Sequence, residues 1–265
     1  MARMTSATAG PAYQVRARNL APDSDNKIHD DSVAQQFGFS GALVPGVDVL
    51  AYATHPFAQA WGTDFLTQGR LEGRFRRPVY DGDDITVATS PAEDGATAFT
   101  VATDDAEPRC VGRAWAMHGE SFDLDRFSVT PLPATRPAAE PGAIAVGPLG
   151  SVDEPVDFDR HSAYRAGIDE ALPIYEKAVH PGALLRLVNE VLVRNVALGP
   201  WIHTSSDIRF LGLASLPTLL HADAIVTEVY ERNGHHYVRY DALISCDGSP
   251  VAFVDHSAIY RLRDN

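Results

Sequence analysis

The side chains best suited to chemistry crowd together near the start of the chain. From Asp23 to Asp31 the sequence reads Asp-Ser-Asp-Asn-Lys-Ile-His-Asp-Asp, which puts five acidic or imidazole groups into nine residues. His29 is the natural acid/base, because an imidazole changes charge near neutral pH. Carboxylates beside it are expected to raise its pKa and orient its ring. Asn26 can hold a water or fix the loop. The run continues through Gly38-Phe-Ser-Gly-Ala-Leu-Val-Pro-Gly46 into an apolar stretch. A helix opening at Pro45-Gly46 would bring free N–H groups and a positive dipole end to the same place, which suits an oxyanion. Small residues Gly41 and Ala42 would let a ligand approach the backbone.

Other polar residues have plainer readings. A calcium loop at Asp23 fails on Lys27, on the missing glycine and on Ala34 where a glutamate should stand. His180, before Pro181-Gly182, reads as a structural residue at a helix start. Asp48 and Glu190 fall in apolar helices. Dipole stabilisation explains the first and solvent exposure the second, with Glu190 kept as a runner-up base. His203-Thr-Ser-Ser-Asp207 could line a tunnel mouth, with a strand entry loop the plainer reading. Cys110 and Cys246 have no metal-ligand spacing, so neither a metal site nor a disulfide framework is expected. No cofactor fingerprint, P-loop or Gly-x-Ser-x-Gly elbow occurs.

Two sets of elements must position the cluster. Tyr13–Ala17 alternates as a first strand, and Asp30–Phe37 suits a short helix capped by Asp30 or Asp31. Gly46–Trp61 carries Val47, Leu50, Ala51, Thr54, Ala58 and Trp61 at helical spacing. Pro56 predicts a kink or break near Thr54. Strands follow at Arg70–Phe75, Ile85–Thr89, Ala96–Thr103 and Arg109–Met117. The stretch 119–154 holds Pro131, Pro133, Pro137, Pro141 and Pro148 and reads as a linker laid over the surface. The second half repeats the order: a short helix at Arg160–Ala171, then a helix from His180-Pro-Gly182 to about Ala197. Strands are expected at Trp201–Phe210, Thr218–Glu231, His235–Cys246 and Pro250–Leu262, with Asn233-Gly234 as a hairpin turn. The division is 1–118, linker 119–154 and 155–265, an internal duplication of α+β class.

With 265 residues, 45% hydrophobic, the chain can bury a sizeable core, and its net charge of −13 disfavours nucleic acid and anionic membranes as partners. No stretch is long and apolar enough for a membrane helix, and the N-terminus lacks an apolar signal core. A cytoplasmic location is expected.

The sequence Asp25-Asn-Lys-Ile-His29, with Ala34, Gly38-Phe39, Gly41 and Pro45-Gly46, resembles the MaoC-type or (R)-specific enoyl hydratase motif of the hotdog superfamily. Phe75-Arg-Arg-Pro-Val-Tyr-Asp-Gly-Asp83 is similar to the strand and turn that follow it there. The resemblance covers most of residues 13–117 and is fold-level beyond. It implies a double hotdog, two antiparallel sheets each wrapped around a central helix, standing alone as a pseudo-dimer or pairing as a homodimer. It implies an acyl thioester of coenzyme A or acyl carrier protein as substrate. It gives His29 and Asn26 catalytic roles, with Asp25 or Asp23 as the neighbouring carboxylate and Ser24, Gly41, Ala42, Val44, Pro45 and Gly46 at the substrate. The family motif runs Gly-Asp-x-Asn-Pro-Leu-His. Aligned on His29, the acid slot is Ser24, the glycine slot Asp23 and the proline slot Lys27. The expected function is a lyase of dehydratase/hydratase type, or an isomerase or cyclase, with an altered acid slot. The alternatives are a hotdog thioesterase using Glu190 or Asp48, and a non-catalytic acyl-binding or partner-stabilising protein.

Overall fold

The structure is a computed structural model and describes residues 12–263 apart from Asp23 and Ala106. The apolar run after Pro45 forms helix α2, Gly46–Gln68, preceded by the short helix α1, Asp31–Gln36. Strand β1 is Tyr13–Arg16. After α2 come β2 Arg70–Phe75, β3 Asp84–Pro91, β4 Thr97–Ala102 and β5 Pro108–Trp115. The second half contributes β6 Gly147–Val156, α3 Phe158–Gly167, α4 Pro181–Asn195, β7 Ile202–Phe210, β8 Thr218–Arg232, β9 His235–Cys246 and β10 Ser249–Arg261.

The strands form one antiparallel sheet in the order β1-β3-β4-β5-β2-β7-β10-β9-β8-β6. The expectation of two separate sheets is therefore corrected. The inner strands of the two halves, β2 and β7, hydrogen-bond to each other, with Leu71 opposite Ile208 and Gly73 opposite Ser206. The reason is general: an unpaired inner edge would leave backbone donors and acceptors without partners. The order of strands in one half mirrors that in the other about the β2–β7 seam.

The two long helices lie on this sheet. Val47, Leu50, Ala51, Phe57 and Phe65 of α2 and Leu184, Leu185, Val188, Val191 and Leu192 of α4 are all buried. Asp48, one turn into α2, is fully buried and meets the Arg186 guanidinium of α4 at 2.9 and 2.5 Å, and the Tyr164 hydroxyl of α3 at 3.1 Å. That ion pair ties both halves together. The break expected near Thr54 does not occur, and the helix runs on through Pro56. Backbone geometry leaves the helix at Gly62 instead, at φ 57°, a conformation that glycine adopts without steric penalty.

The proline-rich stretch is bound along its length. Phe122 stacks on Phe253 at 4.6 Å, Glu120 accepts from Arg70 and Arg209, and Ala139 donates to Ala197. Residues 147–154, expected in the linker, belong to β6, where Gly150 exchanges bonds of 2.7 and 2.8 Å with the Asn195 carboxamide.

Candidate active site

The loop before α1 is locked by Asn26. Its Oδ1 accepts from the Ile28 and Trp201 amides at 3.4 and 3.1 Å, and its Nδ2 donates to the Trp201 carbonyl at 3.0 Å. One carboxamide thus fastens a turn of the first half to the strand entry of the second. Below it, Ile28 packs in a cluster with Leu43, Ile202 and Ile259.

This clamp sets His29. Its Nδ1 lies 2.7 Å from the Leu43 carbonyl, which can only accept, so Nδ1 carries the proton. Nε2 is then a lone pair, and the Asn26 Nδ2 donates to it at 3.3 Å. Burial pushes the His29 pKa below the ordinary imidazole value, which favours the neutral, basic form. Here the expectation of a carboxylate-raised pKa is corrected. The nearby acids serve the backbone: Asp30 caps α1 through the Val33 amide, and Asp31 accepts from the Ala42 amide at 2.7 Å. The ring is oriented by a carbonyl, not a carboxylate.

Two cavities meet at His29. An inner one of about 200 Å³ is walled mainly by apolar side chains, including Ile28, Phe39, Leu43, Val44, Val49, Phe75, Val79 and Ile202. An outer one of about 300 Å³ is charged and polar, with Ser24, Asp25, Arg136, Arg186, Glu190 and Arg194 in its walls. Asn26, His29, Pro45, Asn189 and Trp201 line both and form the neck between them.

Helix α2 starts at this neck. Pro45 precedes it and no side chain caps it; the Asp48 and Val49 amides bond to the Pro45 carbonyl, and the Gly46 and Val47 amides before them have no side-chain acceptor. Gly46 is required by close approach. A Cβ there would fall 2.8 Å from His203 Nδ1 and 3.0 Å from the Phe75 ring. The matching Pro181-Gly182 start of α4 is closed. His180 Nδ1 accepts from the Gly182 amide at 3.0 Å, and the Tyr164 hydroxyl fills the space beside Gly182. Of the two related helix starts, one is open and one is plugged.

The sequence-derived site residues separate into groups. Asn26, His29, Val44, Pro45 and Gly46 come together around the inner cavity. Ser24 and Asp25 line the outer cavity only. Ser24 Oγ bonds to the Asn26 carbonyl at 3.3 Å, and the Asp25 side chain is exposed. Asp23 lies outside the described residues. Gly41 and Ala42 line neither cavity. The Ala42 amide is committed to Asp31, and this bond folds the turn back on α1. Asp48 is consumed by Arg186 and Tyr164. Glu190 stands in the outer cavity, its pKa raised by burial and by Glu154.

Sequence reasoning missed Asn189, Arg136 and Trp201. A signal was present for the first. Arg186, Asn189, Glu190, Val193 and Arg194 recur at helical spacing and form the face of α4 that walls the outer cavity. His203, read as a strand entry, is buried beside the inner cavity. Its Nε2 and the His256 Nδ1 flank Ser206 Oγ at 2.8 and 2.9 Å.

No family model matches the sequence, and no curated protein does. Solved structures do match. A MaoC domain dehydratase structure from Chloroflexus aurantiacus J-10-fl aligns over 99% of this chain and 100% of its own, with TM-score 0.69 and 12% identity. A double-hotdog protein of Mycobacterium tuberculosis aligns over 95% and 96%, with TM-score 0.64 and 14% identity. An oleoyl thioesterase structure from Lactobacillus plantarum aligns over 98% and 99%, with TM-score 0.54 and 11% identity. The chain has the double hotdog fold, in the form seen in MaoC-like dehydratase structures. At these identities the likeness fixes the fold, and the reaction has to be argued from the site.

Proposed function

We propose that the chain is an enzyme acting on an acyl thioester, adding or removing water across the α,β-bond with His29 as its base. The observation that carries this reading is the unprotonated Nε2 of His29 at the neck between an apolar and a charged cavity, beside an uncapped helix start. The acyl chain suits the apolar inner cavity. A coenzyme A or acyl-carrier arm suits the outer one, where Arg136 and Arg194 stand ready for its anionic groups.

For hydration, water at the neck gives a proton to His29 Nε2 and its oxygen attacks the β-carbon. The electron pair moves to the thioester oxygen, facing the first amides of α2, where the helix dipole favours negative charge. The imidazolium then returns the proton to the α-carbon. General base catalysis of this kind supplies roughly 10²–10⁴-fold. The test is turnover of enoyl and 3-hydroxyacyl thioesters by the wild type and His29→Ala, and full activity in the variant overturns the reading. Glu190 in the outer cavity favours a second reading, thioester hydrolysis. Release of free thiol from a saturated acyl thioester, abolished in Glu190→Gln, would replace the first. Thioester binding without turnover, unchanged in His29→Ala, would mark a non-catalytic binder.

A further inference from the structure

Hydration needs a water held by two acceptors, one that takes its proton and one that holds its other hydrogen. His29 Nε2 is the first. The loop that carries His29 offers the inner cavity no second side-chain acceptor among its described residues. Asn26 Oδ1 is occupied by two backbone amides, and Ser24 and Asp25 line the outer cavity only. Helix α4 does offer one. Asn189 lines both cavities together with His29, and its buried Oδ1 has no hydrogen-bond partner among the described residues. An unpaired buried amide oxygen is destabilising, a penalty that a ligand at the neck would relieve. The terminal torsion of an asparagine is broad and roughly two-fold, so its carboxamide can turn either atom to the neck. The Asn26 amide that donates to His29 Nε2 does so at a long 3.3 Å, and the reacting water takes that position when it bonds to Nε2.

We propose that Asn189 is a catalytic residue, its side-chain oxygen holding the reacting water opposite His29. The second half of the chain thus replaces the acceptor that the first half lost at Ser24. The proposal rests on the hydration reading of His29. In the step, one O–H bond of water breaks to His29 Nε2 as the C–O bond forms at the β-carbon. The π-electrons pass to the thioester oxygen and return as His29 protonates the α-carbon. The hydrogen held by Asn189 stays on the oxygen and becomes that of the product hydroxyl. A carboxamide takes no proton at these pH values, so His29 moves protons alone.

The experiment compares wild type, Asn189→Ala, Asn189→Asp and His29→Ala in hydration of a short enoyl-CoA, with full pH profiles and with binding of the saturated acyl-CoA. Asn189→Ala should lower kcat by roughly 10²-fold, leaving KM and saturated-thioester binding within about threefold. Asn189→Asp, nearly the same in shape, should keep most of the activity and add a second ionisation to the pH profile of kcat. Wild-type kcat and a wild-type profile in Asn189→Asp, with Asn189→Ala no slower than wild type, overturn the proposal while His29→Ala remains inactive. A change confined to KM in both Asn189 variants also overturns it. If His29→Ala is as active as wild type, the hydration reading itself has failed. Should Asn189→Ala not fold, the profile of Asn189→Asp decides alone.

Discussion

At the scale of the residue, one hydrogen bond determines what His29 can do. The Leu43 carbonyl fixes the proton on Nδ1, and burial lowers the pKa and so favours the neutral ring with its lone pair on Nε2. Gly46 has an equally local consequence. Gly46→Ala places a methyl 2.8 Å from His203 Nδ1 and 3.0 Å from Phe75. Chemical denaturation should show a loss of about 1–3 kcal/mol, and acyl-chain preference should shift to shorter chains as the inner cavity narrows. Asn26 and His29 were legible because a turn motif fixes their spacing within a few residues. Asn189 was not, because its partners at the neck lie far away in sequence and only the packing of α4 on the loop brings them together. For Gly41 and Ala42 the sequence showed only small size; that the Ala42 amide is committed to Asp31 is a tertiary fact.

At the scale of the element, the α2–α4 contact shapes the candidate site, since the start of α2 and the Asn189 face of α4 both line it. Asp48 has no access to solvent, whereas the Arg186 side chain retains 32% of its exposure. Removing the arginine leaves a buried carboxylate unpaired, and removing the acid leaves a cation that can reach water. Arg186→Met should therefore destabilise by about 3–5 kcal/mol, measured by urea unfolding, and Asp48→Asn by less. Equal effects would contradict the asymmetry. Helix and strand positions were largely readable from periodicity, as Arg70–Phe75 and His235–Cys246 show. The single sheet was not, because which strand edge meets which is a long-range choice. The position of the helix irregularity was also hidden. Pro56 gave the louder sequence signal, yet the tertiary setting keeps the helix continuous there and places the break at Gly62.

At the scale of the whole molecule, two related halves have been made unequal. The first keeps an open helix start and a base. The second fills its helix start with His180 and lends α4, Trp201 and His203 to the first. Buried imidazoles stand by both helix starts, His161 and His180 at α4 and His203, stacked on His256, at α2. Burial lowers the pKa of His161 to about 4 and of His203 to about 3, and lowers those of His180 and His256 too. In each case the unfolded chain binds a proton more readily than the folded one, so stability rises with pH through this range. The contribution is complete above the unfolded value of about 6.5 and is lost as pH falls toward the folded values. Thermal unfolding should show Tm falling between pH 6.5 and 4. His203→Gln should flatten that fall, and an unchanged slope would contradict the assignment.

The central claim is that His29 is the base at a thioester site, and kcat/KM for enoyl thioester hydration against pH, in wild type and His29→Ala, tests it most directly. The account predicts a wild-type profile that falls on the acid side through one ionisation below the ordinary imidazole value, and a variant slower by at least roughly 10²-fold at every pH. A His29→Ala enzyme that matches wild type in rate and profile would contradict it.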